Sequence, residues 1–241
     1  MKVTLINYTH NAEALLLFTK STRLNLTPAL LDEIRAWPEV RKQAELAYMA
    51  DTIPSSWEFV DYVFSVEGVS RAYTHQQVRT RAASYAQQSL RVLDVSGGFD
   101  YVFTERNKAN AAAMGVIKTA LLQIKDAYAD LVKLGQPPED ARGILPTNIA
   151  TNIVCKFNLR TMSELARSRT GGRTQGEYQK VVNAMIDEVL AVHPWADKFF
   201  FSKPRDYFAE LEAFAEREYG SDLIKKGELL KIVDKMRKGA A

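Results

Sequence analysis

The chain has 241 residues, 46% of them apolar and 25% charged, with a net charge of +3. That is enough apolar mass for a folded core, and too even a charge to mark a disordered chain or a nucleic-acid binder. A single cysteine, Cys155, excludes an internal disulfide and a CxxC metal pair, and three scattered histidines, His10, His75 and His193, argue against a zinc or non-haem iron site built from His and Cys.

In chain order, Val3 and Leu5 alternate with polar neighbours and predict a strand over Lys2 to Asn7. A helix is expected from about Ala12, a second from Thr27-Pro28 as cap and first turn, and a third over Glu39 to Met49. Aromatic and Val residues from Trp57 to Val66 predict a strand that Gly68 ends. Ser70 then caps a helix carrying Arg71, His75, Gln76, Arg79 and Arg81, and Ala82 to Arg91 reads as a loop or an irregular helix end. A short strand near Tyr101 to Phe103 precedes one long amphipathic helix from Arg106 to Leu134, which Gly135-Gln136-Pro137-Pro138 stops. A short helix at Glu139 to Arg142, a strand over Asn148 to Phe157, a helix from Asn158 to Arg169 and three further helices complete the chain.

The expected fold is therefore α+β: a helix-rich single domain, residues 1–241, around a mostly antiparallel sheet, with a helical extension from about 195. The start of the sequence lacks the apolar run of a signal peptide, and no stretch of about 18 apolar residues could span a bilayer. A cytoplasmic protein without membrane contact is expected, and Cys155 is expected in the core.

Two arginine-rich stretches carry the chemistry. The first, Ser70 to Arg91, holds Arg71, Arg79, Arg81 and Arg91 with no acid among them. Arg91 follows Gln87, Gln88 and Ser89, a set of amides and a hydroxyl that with a guanidinium fork suits a phosphate. The second, Ala141 to Glu177, holds Arg142, Arg160, Arg167, Arg169 and Arg173. On composition alone a solvated basic helix, or charges serving the helix C-terminus, explains either stretch equally well.

These residues together resemble the flavin-dependent thymidylate synthase family. Its signature is Arg-His-Arg, seven residues and Ser; here Arg79-Thr80-Arg81 is followed by seven residues and Ser89. A second family block is similar to Ala141-Arg142-Gly143-Ile144-Leu145-Pro146, then Asn158-Leu159-Arg160, then Arg169 through Gln175 to Glu177. The resemblance covers roughly residues 1 to 195 and implies an α+β homotetramer with shared active sites. It implies FAD as cofactor, NADPH as reductant and methylenetetrahydrofolate as one-carbon donor for C5 methylation of deoxyuridylate.

By that resemblance Gln76, Arg79, Gln87, Gln88, Ser89, Arg91, Arg142 and Arg169 hold the nucleotide, with Arg169 also the catalytic group that stabilises charge on the pyrimidine. Ser55, Glu58, Arg79, Thr80, Arg81, Asn158, Arg160, Glu164 and Arg173 fall at cofactor positions. No metal is implied, and no protein nucleophile is needed, because the cofactor carries the difficult steps.

The chain departs from the family at several of these places. Thr80 stands for the signature His, Ile53 and Phe59 stand where a second motif has His, and Glu164 and Arg173 replace an Asn and a His. Three functional readings follow. Ordinary methylation is one. Release of the 5-hydroxymethyl nucleotide, or action on another pyrimidine such as cytidylate, is a second. A third class is a nucleic-acid-binding protein using the Arg-rich stretch with Tyr73 and Tyr85.

Overall fold

Alternating Val, Tyr and Phe side chains build the centre of the molecule. A computed structural model describes residues 1–52, 54–91, 98–172, 174–201 and 207–239. Among these, the first unit (Met1–Ser202) opens with strand β1 (Lys2–Tyr8) and helices α1 (Ala12–Lys20), α2 (Pro28–Arg35) and α3 (Glu39–Thr52). A 3₁₀ helix (Pro54–Phe59) leads into β2 (Asp61–Ser70), α4 (Arg71–Gln77) and β3 (Ala83–Gln87). Helices α5 (Glu105–Lys108), α6 (Ala111–Lys133) and α7 (Pro138–Ala141) follow, then a 3₁₀ turn (Arg142–Ile144) and β4 (Ala150–Asn158). Helices α8 (Leu159–Arg169), α9 (Gly176–Val192) and, after a 3₁₀ turn (Pro194–Ala196), α10 (Asp197–Phe200) close the unit.

The four strands form one antiparallel sheet in the order β1-β2-β4-β3. Phe64 of β2 and Tyr85 of β3 both sit opposite Cys155 of β4. Every second residue of the central strands, Tyr62, Phe64 and Val66 with Ile153, Cys155 and Phe157, is buried on one face. Helix α9 packs against β1 and β2, and its buried Val181, Val182, Met185, Ile186 and Val189 belong to the same core. Each such side chain taken from water contributes about 1.5–3 kcal/mol.

The second unit (Lys203–Ala241) is described by α11 (Tyr207–Tyr219) and α12 (Leu223–Gly239), which pack on each other. Arg237 Nη1 pairs with Glu212 Oε1 at 3.0 Å, and Lys226 pairs with Glu216. Between the helices, a Cβ at Gly220 would stand 2.6 Å from the carbonyl oxygen of Glu216, so only glycine fits that turn.

The α+β class with an antiparallel sheet stands as expected. Several local expectations are corrected. Trp57 to Phe59 lie in the 3₁₀ helix, where Trp57 is buried and its indole N–H donates to the Met49 carbonyl. Gly68 does not end β2. It adopts φ +64° at a bulge between Val66 and Val69, and the strand runs on to Ser70. Ala83–Gln87 is an edge strand rather than a loop, and Tyr101 makes only an isolated bridge to Ile149. The long helix is broken at Ala109–Asn110, where the Asn110 side chain caps α6 by accepting from the Ala113 N–H at 3.0 Å.

Candidate active site

Helix α4 starts at the Ser70 cap, whose Oγ accepts from the Tyr73 N–H at 3.0 Å, and it stops at Gln77. Arg79 and Arg81 therefore do not lie on the helix, as the sequence suggested. They stand in the turn joining α4 to β3, and both are exposed. Tyr85 fixes that turn from below: its hydroxyl lies 2.8 Å from the carbonyls of both Gln77 and Thr80. Burial pushes the Tyr85 phenol up to about 12, so it remains a donor.

The residues assigned to the nucleotide surround this turn and the segment after β3. Gln76 donates its amide to Gln175, and Gln87 donates to Thr74 Oγ1 at 2.9 Å. The Ser89 hydroxyl accepts from the Arg91 N–H at 3.1 Å. Arg91 pairs with Glu139 at 2.6 Å, while Arg142 Nε donates to the Glu139 carbonyl at 3.1 Å. One acidic residue thus organises two of the proposed phosphate ligands. Beside Gln88 and Leu90 lies a cavity of about 300 Å³, also lined by Gly68, Asp100, Thr151 and Asn152.

Arg169 sits at the end of α8, half-buried, with its guanidinium 5.2 Å from the centroid of the Tyr178 ring. Its Nε is buried without a hydrogen-bond partner, and the buried Tyr178 hydroxyl faces Arg169 and Thr80. Burial holds that phenol above its ordinary value. Tyr178 meets Tyr73 edge to face at 5.3 Å.

Three residues assigned to the cofactor come together as an exposed ion-pair chain. Arg160 Nη1 reaches Glu58 Oε1 at 2.8 Å and its Nε lies 3.5 Å from Glu164 Oε1. Ser55 is exposed on the neighbouring 3₁₀ helix. The Asn158 side-chain oxygen caps α8 by accepting from the Thr161 N–H at 2.9 Å, which leaves its amide N–H groups for a ligand. Thr161 in turn donates to the Ala82 carbonyl, fastening α8 to the Arg81 turn. Phe59 is 58% exposed. Ile53 and Arg173 lie outside the described residues.

Sequence reasoning counted Arg71 in the first arginine-rich stretch without giving it a role, passed over Tyr178, and quoted Gln175 and Glu177 only as family pattern. Arg71 Nη2 donates to the Gln88 carbonyl at 2.8 Å, and its Nε is buried and unpartnered. Among the described residues Arg71, Arg79, Arg81, Arg142 and Arg169 form no ion pair, unlike Arg91 and Arg160. Five guanidinium groups without carboxylates form a donor set suited to phosphate-bearing ligands, which a nucleotide and a flavin nucleotide both are. No cluster of three or more His, Cys, Asp or Glu among the described residues could hold a metal.

The family model described as thymidylate synthase complementing protein matches residues 4–195. The flavin-dependent thymidylate synthase of Geobacter sulfurreducens is 33% identical over 200 residues, covering 80% of this chain and 84% of that protein. The one from Nitratidesulfovibrio vulgaris is 35% identical over 175 residues, covering 66% and 71%. Among solved structures, a UMP/dUMP methylase, PolB of Streptomyces cacaoi bound with 5-Br dUMP, shares the fold with a TM-score of 0.69 at 15% identity, covering 83% of this chain and 93% of that one. The chain belongs to the thymidylate synthase complementing protein family. It is an enzyme of the flavin-dependent thymidylate synthase kind.

Proposed function

We propose that the enzyme methylates C5 of deoxyuridylate, with bound FAD, methylenetetrahydrofolate as one-carbon donor and NADPH as reductant. The observation that carries the reading is Arg169: a guanidinium with a buried, unpartnered Nε, steadied by Tyr178 and standing at the end of a rigid helix. A cation held in place before the reaction stabilises negative charge developing on a pyrimidine carbonyl without reorganising. Ser89, Arg91 and Arg142 hold the 5′-phosphate. Gln76 and Gln87 fix the rest of the nucleotide, with the exposed Gln88 side chain beside them. Arg79 and Arg81 bind the phosphates of the flavin nucleotide. Ser55, Glu58, Thr80, Asn158, Arg160, Glu164 and Arg173 complete that side. When bound, the flavin supplies the hydride and relays the one-carbon unit.

Homotetramer assembly in the cytoplasm belongs to the same proposal: Arg79, Arg81, Glu58 and Ser55 are exposed on the single chain, where a neighbouring subunit can close the site over them. The test is the mass of the product formed from deoxyuridylate with all three cosubstrates. A methyl gain supports the reading. A hydroxymethyl gain replaces it with deoxyuridylate hydroxymethylation and puts Thr80 and Phe59, which stand where the family has His, at the centre of the change. No product with deoxyuridylate, together with salt-sensitive binding to DNA and no flavin chromophore, would sink it.

A further inference from the structure

Arg71 is the first residue of α4, anchored on both sides by its backbone. Its N–H donates to the Ile149 carbonyl at 3.1 Å, and its own carbonyl accepts from Thr74 Oγ1 at 3.1 Å. Its side chain turns toward the segment after β3 and takes the Gln88 carbonyl at 2.8 Å. The Gln88 N–H is held as well, by the Asn152 carbonyl at 3.0 Å. The peptide group is planar and trans, so pinning the Gln88 carbonyl sends the Ser89 N–H in the opposite direction. Among the described residues that amide has no acceptor, and neither does the amide of Leu90.

The charge around Arg71 is as unusual as its geometry. Burial, with the nearby Arg142 guanidinium adding to it, lowers the Arg71 pKa from its ordinary value. Two guanidinium groups placed close together without a carboxylate raise each other's energy, and an anion entering between them relieves that cost. The Nε of Arg71 is buried and has no hydrogen-bond partner.

We infer that Arg71 is a positioning residue for the nucleotide's 5′-phosphate: it fixes the Gln88–Ser89 peptide so that the Ser89 N–H serves the anion, and it shares the positive field there with Arg142. The inference rests on the reading of this segment as the nucleotide site. A planar fork can hold a carbonyl and favour an anion at once. A lysine's single nitrogen does not reproduce that fixed, two-armed geometry.

The experiment compares the affinity of the flavin-loaded enzyme for deoxyuridylate and for deoxyuridine, which lacks the phosphate. Arg71→Gln is expected to weaken deoxyuridylate binding about 10- to 100-fold, the range of a hydrogen bond to a charged group, and to leave deoxyuridine binding and flavin content unchanged. Equal weakening of both ligands, or unchanged deoxyuridylate binding, would overturn it. Arg71→Lys keeps the charge should the glutamine variant fold poorly. It too should lose deoxyuridylate affinity selectively, and wild-type affinity in it would count against the inference. A wild-type enzyme that does not bind deoxyuridylate sinks the nucleotide-site reading and this inference together. Loss of binding in Arg142→Gln but not in Arg71→Gln sinks this inference alone.

Discussion

Glu177, at the start of α9, holds Ser70, the cap of α4, through both carboxylate oxygens: one accepts the Ser70 N–H at 2.7 Å and the other accepts its hydroxyl proton. The residues are 107 apart in sequence. The contact joins the two arginine-rich stretches at their bases, so the Arg79 turn and the Arg169 end of α8 are carried on one frame. Glu177→Ala leaves the Ser70 N–H and hydroxyl without these acceptors, at a cost of about 1–3 kcal/mol. A lowered urea midpoint together with weaker nucleotide binding is the expected outcome. An unchanged midpoint would show that the link is dispensable.

Arg81 makes no hydrogen bond or ion pair among the described residues and is exposed, so the fold does not depend on it. Arg81→Ala is therefore expected to keep the wild-type melting temperature while losing most of the bound flavin. The absorbance of the purified protein near the flavin band reads this directly. Retention of full flavin would remove Arg81 from the cofactor site.

Cys155 is fully buried in β4, and burial pushes its thiol up to about 12. A thiol in that state is neither nucleophile nor ligand at neutral pH. It should resist aromatic disulfide reagents until denaturant is added. Cys155→Ala should keep turnover at a stability cost of about 1–2 kcal/mol. Rapid labelling of the native enzyme with parallel loss of activity would contradict the packing and the mechanism alike.

His193 follows α9. Its Nδ1 lies 3.1 Å from the buried Tyr62 hydroxyl, and its ring stacks on Trp195 at 5.0 Å and meets Tyr8 edge to face at 5.2 Å. Burial first, and then the proximity of His10, lower its pKa from 6.5 to about 4. The folded state thus binds this proton less readily than the unfolded state. Its contribution is whole above pH 6.5 and is lost as pH falls from 6.5 toward 4. His193→Gln should flatten that part of the stability profile, measured as urea midpoint against pH. Identical slopes in variant and wild type would mean that other groups set the acid limb.

Much of this molecule is legible in its sequence, for identifiable reasons. Ser70, Asn158 and the Thr27-Pro28 pair mark helix starts through local chemistry, and the structure begins helices after each. Alternating apolar residues mark β1, β2 and β4 because one sheet face is buried. Strand β3 escapes notice because Ala-Ser-Tyr-Ala-Gln is small and polar, and an edge strand needs little burial to pair. Trp57 and Phe59 mislead in the other direction: aromatic residues suit a strand, but the Pro54 start and the Trp57 bond to Met49 favour a 3₁₀ turn. In the site, the spacing from Arg79 to Ser89 is visible in one dimension. The partnership of Arg71 with Gln88, and of Arg169 with Tyr178, is made only by tertiary packing.

Helix α8 begins directly where β4 ends, with Asn158 as both last strand residue and cap. Arg160 and Arg169, proposed to serve different ligands, therefore ride on a single rod with no slack at its origin. At 1.5 Å per residue they are separated by about 14 Å along its axis, and each residue added or removed would swing Arg169 by about 100° relative to Arg160. The helix works as a calibrated spacer. Its length cannot change by even one position without uncoupling the two halves of the proposed chemistry.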